Sequence, residues 1–359
     1  MLMYICVAFI LFMGTFTKQA KWFYYLGVLF LWTMMAFRHI DMGGFDAVFY
    51  QKFFDEVPPI WSLYNYDSNY TWAYTLLNSL VKTLSDQYIV YQIIYSIIAF
   101  SILCHLLDKT ALNYKEKCLF ILFFYCFRYM WDMWVILRQN MADLIFWSFS
   151  FVLYDLWKNH KENKTVMKIC CICLAILLPA GFHSSGWLNL LILPLLYYMQ
   201  KINVETKTIV IILVSLLLYY ILSPSFGDIL NIISMLDTRY NMYANSDSSG
   251  NFMYYIFRLA VFVIFAINYQ RISYQYKDYF FDMMGLMVLV GSINAPIIVR
   301  FVDYYAIGLY GLGACMPSLF APSNRLPVLA VYGILLVGLL YRFLLIFDEG
   351  VFLDYRFGI

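Results

Sequence analysis

Apolar stretches about as long as a bilayer is thick follow one another along nearly the whole of this chain. A hydrocarbon core requires roughly 20 mostly apolar residues per crossing helix. Breaking the sequence at charged and Pro/Gly/Asn-rich stretches gives candidate spans near 2–16, 22–37, 88–107, 118–136, 139–157 and 169–181. Others follow near 184–200, 208–223, 252–269, 279–298, 301–320 and 327–346. Segment 71–84 is also apolar but carries Asn78 and Lys82, so it reads as a re-entrant or interfacial helix. The expected fold is all-α, a polytopic membrane bundle of about 11–13 transmembrane helices. It forms one integral membrane domain, 1–359, with outer loops near 38–70 and 224–251.

Composition agrees. Hydrophobic residues make up 63% of the chain and charged residues 13%, against about half and about a quarter in soluble domains. A soluble fold has nowhere to hide that much apolar surface. The net charge of +2 gives no reason to expect a nucleic-acid partner; membrane lipid is the expected surrounding. Residues Met1–Phe16 lack a basic leader and a small-residue cleavage site, and read as the first membrane helix. The cysteine cluster Cys170-Cys171-Ile172-Cys173 lacks the spacing and the histidine partner of a zinc site, and reads as packing.

Orientation follows from lysine and arginine. The connections 17–21, 108–117, 158–168, 201–207, 270–278 and 321–326 hold 14 of the 24 basic residues, which places them together on the cytoplasmic side if 71–84 does not cross. Nearly all of those 14 are lysines. On the outer side the basic residues are Arg38, Lys52, Arg138, Arg239, Arg300 and Arg356, nearly all arginine. Arginine offers a planar fork that grips phosphate or carboxylate in two places. These arginines therefore read either as an outward-facing anion site or as side chains snorkelling to lipid headgroups. Inside an apolar stretch, Arg128 and Asp132 stand four apart and are spaced to pair with each other.

After the second span the chain reads Arg38-His39-Ile40-Asp41-Met42-Gly43-Gly44-Phe45-Asp46-Ala47-Val48-Phe49-Tyr50. The glycine pair permits a sharp turn as the backbone leaves the membrane, one that brings Arg38 towards Asp46. Arg138-Gln139 then opens a helix after an aromatic-rich span, and Phe182-His183-Ser184-Ser185 lies between two apolar segments. Arg239-Tyr240, with Tyr243, falls in the second long outer loop, and Arg300 precedes Asp303-Tyr304-Tyr305.

The order of these motifs, from about residue 38 to 305, resembles the EpsG/Wzy-type polysaccharide polymerases. One departure is the pair Gly43-Gly44 two residues before Asp46, where many relatives carry a single glycine, a small residue and the aspartate. The resemblance implies a GT-C-like glycosyltransferase, a polymerase that joins oligosaccharide repeat units carried on undecaprenyl pyrophosphate. The reaction runs at the outer face of a bacterial cytoplasmic membrane. The products of such enzymes are O-antigen (lipopolysaccharide), capsule or exopolysaccharide. A repeat-unit flippase and a chain-length regulator are the partners it implies. No cofactor and no metal is expected, since converging guanidinium groups serve the leaving pyrophosphate. Arg38, Arg138, Arg239 and Arg300 are the expected pyrophosphate contacts, and His183 or Asp46 the base. Tyr50, Tyr240 and Tyr304 are expected to meet sugar or to hold loops.

Two other functions compete. An O-antigen ligase would use the same kind of carrier but normally shows one dominant outer loop. A lipid-linked oligosaccharide flippase or transporter would place polar groups at mid-membrane, often with internal repeats.

Overall fold

The computed structural model describes residues 2–159, 164–236, 252–293, 298–346, 350–353 and 355–358. Its regular elements are helices: α1 Leu2–Phe16, α2 Ala20–Ala36, α3 Gly44–Glu56, α4 Trp72–Leu84, α5 Tyr88–Lys109, α6 Tyr114–Phe127, α7 Leu137–Lys158 and α8 Thr165–Phe182. They continue with α9 Asn189–Met199, α10 Val204–Leu236, α11 Phe252–Ile267, α12 Lys277–Gly291, α13 Ile298–Asp303, α14 Ala306–Cys315 and α15 Arg325–Ile346. Among the described residues, four helices are long and apolar enough to cross a membrane, in α5, α8, α10 and α15, and α1 and α11 are shorter apolar helices. Large hydrophobic side chains such as Phe9, Leu213, Leu217, Ile334 and Leu335 stay exposed. An exposed apolar surface of this extent is what a bilayer covers. The protein is a polytopic membrane helix bundle.

Several spans read as continuous in the sequence are broken. The stretch 118–136 is α6, a break at Arg128, and a single π turn at Trp131–Val135. The stretch 301–320 divides at Tyr304-Tyr305 into α13 and α14. Hydropathy averages over such breaks, because aromatic residues at a turn score like those in a helix. In α10 the helix runs past Ile221, where the apolar span ends, to Leu236. It therefore occupies the start of the expected 224–251 loop. The other expected loop, 38–70, contains α3 and a 3-10 turn at Ile60–Asn65. Helix α4 has 13 residues, about 20 Å of rise, which is too short to cross.

The chain divides into two compact units: 1–148, 174–187 and 313–359 form the first, and 149–173 with 188–312 the second. In the first, α1, α2 and α6 pack side by side, with α5 against α2 and α15 against α6. Its two ends differ. At one, Lys115 reaches the Phe16 carbonyl, and Arg325 lines the same cleft as both residues. At the other, the C-terminal tail pairs with the exit of α2: Arg38 and Phe357 form an antiparallel bridge, and His39 N–H donates to Arg356 O at 2.8 Å. Within this unit the lysine-bearing connections and the 38–42 turn thus lie at opposite ends, as lysine placement suggested.

The second unit has its own polar core. Lys207 and Asp282 form a buried ion pair, and the Tyr154 hydroxyl donates to Asp282 at 2.9 Å. Neither charge is left alone in an apolar interior, where an isolated ion would cost several kcal/mol. Gly308 packs against the backbone of α12, where an added Cβ would lie 2.3 Å from Met284 N.

Candidate functional site

The glycine pair at 43–44 works as a turn. Gly44 has φ +63° and ψ −162°, a region essentially confined to glycine that costs another residue about 1–3 kcal/mol. It redirects the chain from the 3-10 turn Ile40–Gly43 into α3. Asp46 and Tyr50 then lie one turn apart on α3. Val57-Pro58-Pro59 ends the helix, since residues before proline avoid the α region.

Arg38 does not face Asp46. It is 1% exposed, and its terminal nitrogens donate to Met35 O at 2.8 Å and Trp134 O at 3.2 Å. Tyr88, Tyr95, Tyr129 and Tyr355 surround it. Arg38 therefore binds the exit of α2 to the π turn, with two of its donors spent on carbonyls. The expected approach of Arg38 to Asp46 is replaced by a different pairing.

That pairing centres on Arg138, in the first turn of α7. Its guanidinium lies over the Tyr70 ring at 4.6 Å and over Tyr74 at 5.8 Å, and its charge acts on the Tyr50 phenol. Burial pushes the Tyr50 phenol up to about 12; Arg138 opposes that rise and Asp46 adds to it. Burial likewise raises Tyr70, again against the pull of Arg138. Asp46, Tyr50, Tyr70 and Arg138 thus share one electrostatic neighbourhood. The Arg138 Nε has no hydrogen-bond partner among the described residues. Arg138 is thus a half-buried cation over phenol faces, with Asp46 in the same neighbourhood.

The next residue, Gln139, connects this neighbourhood to His183. The Gln139 amide Nε2 donates to Asp143 Oδ1 at 2.7 Å. Ser185 Oγ donates to Gln139 Oε1 at 3.0 Å and lies 2.6 Å from His183 Nδ1. Nδ1 also accepts the Ser185 N–H, at 3.3 Å. Asp143, Gln139, Ser185 and His183 thus form one hydrogen-bonded chain that orients the imidazole.

Local structure fixes this arrangement. Pro179 lies near the end of α8, and its carbonyl accepts the His183 N–H at 2.8 Å. The Thr71 hydroxyl donates to Phe182 O at 2.7 Å, tying α4 to the same corner. At Gly186 a Cβ would lie 2.3 Å from Ala180 N, so only glycine admits the turn that brings Ser185 back to the ring.

Arg239 and Tyr240 lie outside the described residues. Arg300 belongs to the short helix α13, and its side chain lies outside what is described. Tyr304 is fully buried in the second unit, at the break between α13 and α14. Arg128 and Asp132 pair at 3.1 Å, as their spacing predicts. Among the described residues no group of three or more His, Cys, Asp or Glu is placed to hold a metal ion. Asn140, Asp143 and Tyr95 were missed as site residues. The Asn140 amide donates to Tyr95 Oη at 3.2 Å, and Tyr95 donates to Leu137 O at 2.5 Å. Polar residues at 139, 140 and 143 in one membrane helix were the available signal.

The family model described as EpsG family matches residues 21–357, which takes in every one of these motifs. No curated protein matches the chain, and no solved structure does. The match supports a polysaccharide-polymerase type of role, and over nearly its whole length the chain belongs to the EpsG family.

Proposed function

We propose that the protein joins lipid-linked oligosaccharide repeat units at the membrane end that carries Arg138 and His183, the end facing away from the cytoplasm. One observation carries this reading. The phenol-stacked cation Arg138 and the hydrogen-bonded His183 are joined through consecutive residues, 138 and 139, at a helix start. An anion grip beside a proton acceptor is what glycosyl transfer from a pyrophosphate needs.

In the reaction, an acceptor sugar hydroxyl attacks the anomeric carbon of the donor. The bond from that carbon to the pyrophosphate oxygen breaks, and the polyprenyl pyrophosphate leaves with the bonding electrons. His183 takes the hydroxyl proton. Arg138 meets the negative charge developing on the leaving group; Arg239 and Arg300 stand as pyrophosphate contacts on the sequence motifs alone. Arg38, enclosed by carbonyls and phenols, holds the exit of α2 in place. Asp46 and Tyr50 orient sugar hydroxyls beside Arg138. The carrier is of the undecaprenyl pyrophosphate type and the scaffold GT-C-like; a flippase supplies donors, and a chain-length regulator limits the product.

The test is polymer formation in cells lacking the native gene and carrying wild type, Arg138→Ala or His183→Ala. Wild type restores a ladder of chain lengths, and each variant leaves single-unit product at normal membrane levels. A null strain that still makes a ladder but leaves it unattached to its final acceptor identifies a ligase instead. Repeat units trapped on the cytoplasmic face identify a flippase.

A further inference from the structure

At the lysine-bearing end of the first unit, a cleft of about 370 Å³ opens between the end of α1, the start of α6 and the start of α15. Two cations line it. Lys115 is held by a long contact, 3.4 Å, to Phe16 O. Arg325 is held through Nε by one of the same length to Phe320 O, which leaves its two terminal amino groups for a ligand. One acid lines it as well, Glu116. Its carboxylate is already engaged, accepting the Asn113 N–H at 2.8 Å in a capping box, and burial raises its pKa. The rest of the wall is divided: Ser318 and Asn113 are polar, and Leu119, Leu326 and Leu329 are apolar. Leu326 is 64% exposed, so the apolar wall continues onto the hydrocarbon-facing surface of α15.

We propose that this cleft binds one anionic phospholipid, with its phosphate between Lys115 and Arg325 and its acyl chains along Leu326 and Leu329. The charge selects a phosphate-bearing anion, and a basic pocket between membrane helices is a known kind of headgroup site. The continuous apolar wall selects a lipid over free phosphate, which would gain nothing from leucine. The cleft stands at the end opposite Arg138 and uses none of the residues placed in the reaction. It ties three segments far apart in sequence, so an occupying lipid clamps α15 against α1 and α6.

The experiment is native mass spectrometry of the delipidated full chain, titrated with phosphatidylglycerol or phosphatidylcholine. The wild type is expected to retain one phosphatidylglycerol at about tenfold lower lipid concentration than phosphatidylcholine, consistent with about 1 kcal/mol for each basic group near an anionic lipid. The variant Lys115→Gln/Arg325→Gln binds both lipids alike. A control of equal charge loss at the same end, Lys18→Gln/Lys21→Gln, keeps the preference. Equal binding of the two lipids by wild type overturns the proposal. So does loss of the preference in the control, which would mark diffuse surface charge. Displacement of the lipid by inorganic phosphate at millimolar concentration would make the cleft a free-phosphate site and also overturns it.

Discussion

Lys117 and Arg138 lie towards opposite ends of the first unit, and each rests on tyrosine rings. Lys117 stands 4.8 Å from the Tyr114 ring and 5.8 Å from that of Tyr24; Arg138 has almost the same distances to Tyr70 and Tyr74. The difference is what closes the charge. Lys117 donates to Asp108 at 2.5 Å, so its field is spent on a carboxylate where the end of α5 meets the start of α6. Arg138 shares its surroundings with Asp46 around Tyr50 and Tyr70, and its Nε has no hydrogen-bond partner among the described residues. Similar aromatic cradles thus hold a closed ion pair at one end and, at the other, a cation with a donor to spare.

The largest effect tests that contrast directly. Arg138→Ala is expected to lower polymer formation by at least about 100-fold, the usual cost of removing a donor from developing negative charge. Arg138→Lys recovers little of it, because the planar fork and its stacking are lost. Lys117→Gln changes polymer formation by no more than about twofold, since a partly exposed ion pair contributes about 1 kcal/mol or less. Equal losses in the Arg138 and Lys117 variants would break the comparison. Both are read from chain-length ladders at matched membrane levels.

The carboxylates come next. Asp143→Asn offers Gln139 an amide in place of a carboxylate, so the Gln139 orientation, and with it the hydrogen-bonded seat of the His183 ring, is loosened. Activity is expected to fall about tenfold, within the range for partners that orient a reacting group, with a changed pH–rate profile. Asp108→Asn leaves both rate and profile in place. An unchanged profile in Asp143→Asn would mean that the chain through Ser185 does not set the base.

The smallest effects come from the two positive-φ residues. Gly44 has φ +63°, and Ala111, in the lysine-bearing connection, has φ +58°. Gly44→Ala is expected to cost about 1–3 kcal/mol in backbone strain; its Cβ would meet only Val135, at 3.7 Å. Ala111→Gly relieves the strain of a positive φ and stabilises by less than about 1 kcal/mol, because glycine gives back part in unfolded-chain entropy. Thermal midpoints in detergent should move in opposite directions.

Much of this was legible in the sequence for a physical reason. Apolar length reports the bilayer, so the helical bundle followed from composition and spacing, and lysine placement sorted the ends of the first unit. The Gly43-Gly44 turn and the Arg128–Asp132 pair are local, and local chemistry can be read from spacing. The site was read less well. Sequence order set Arg38 beside Asp46, but the π turn at Trp131–Val135 presents a carbonyl that captures Arg38, while Asp46 shares its surroundings with Arg138. Tyr70 reads as an interfacial belt residue until α4 and α7 place Arg138 over its ring. Such partners are more than 60 positions apart, and hydropathy carries no record of them.

The phenol-stacked Arg138 and the hydrogen-bonded His183 are proposed to perform glycosyl transfer together. The most direct measurement is release of lipid pyrophosphate by the purified protein in lipid nanodiscs, supplied with a lipid-linked repeat unit as donor and acceptor. Wild type, Arg138→Ala and His183→Gln are compared across pH. Release coupled to polymer growth in wild type, with both variants slowed by about 100-fold or more while still folded, is the predicted result. Turnover by His183→Gln within a few-fold of wild type, with the same pH profile, would contradict it.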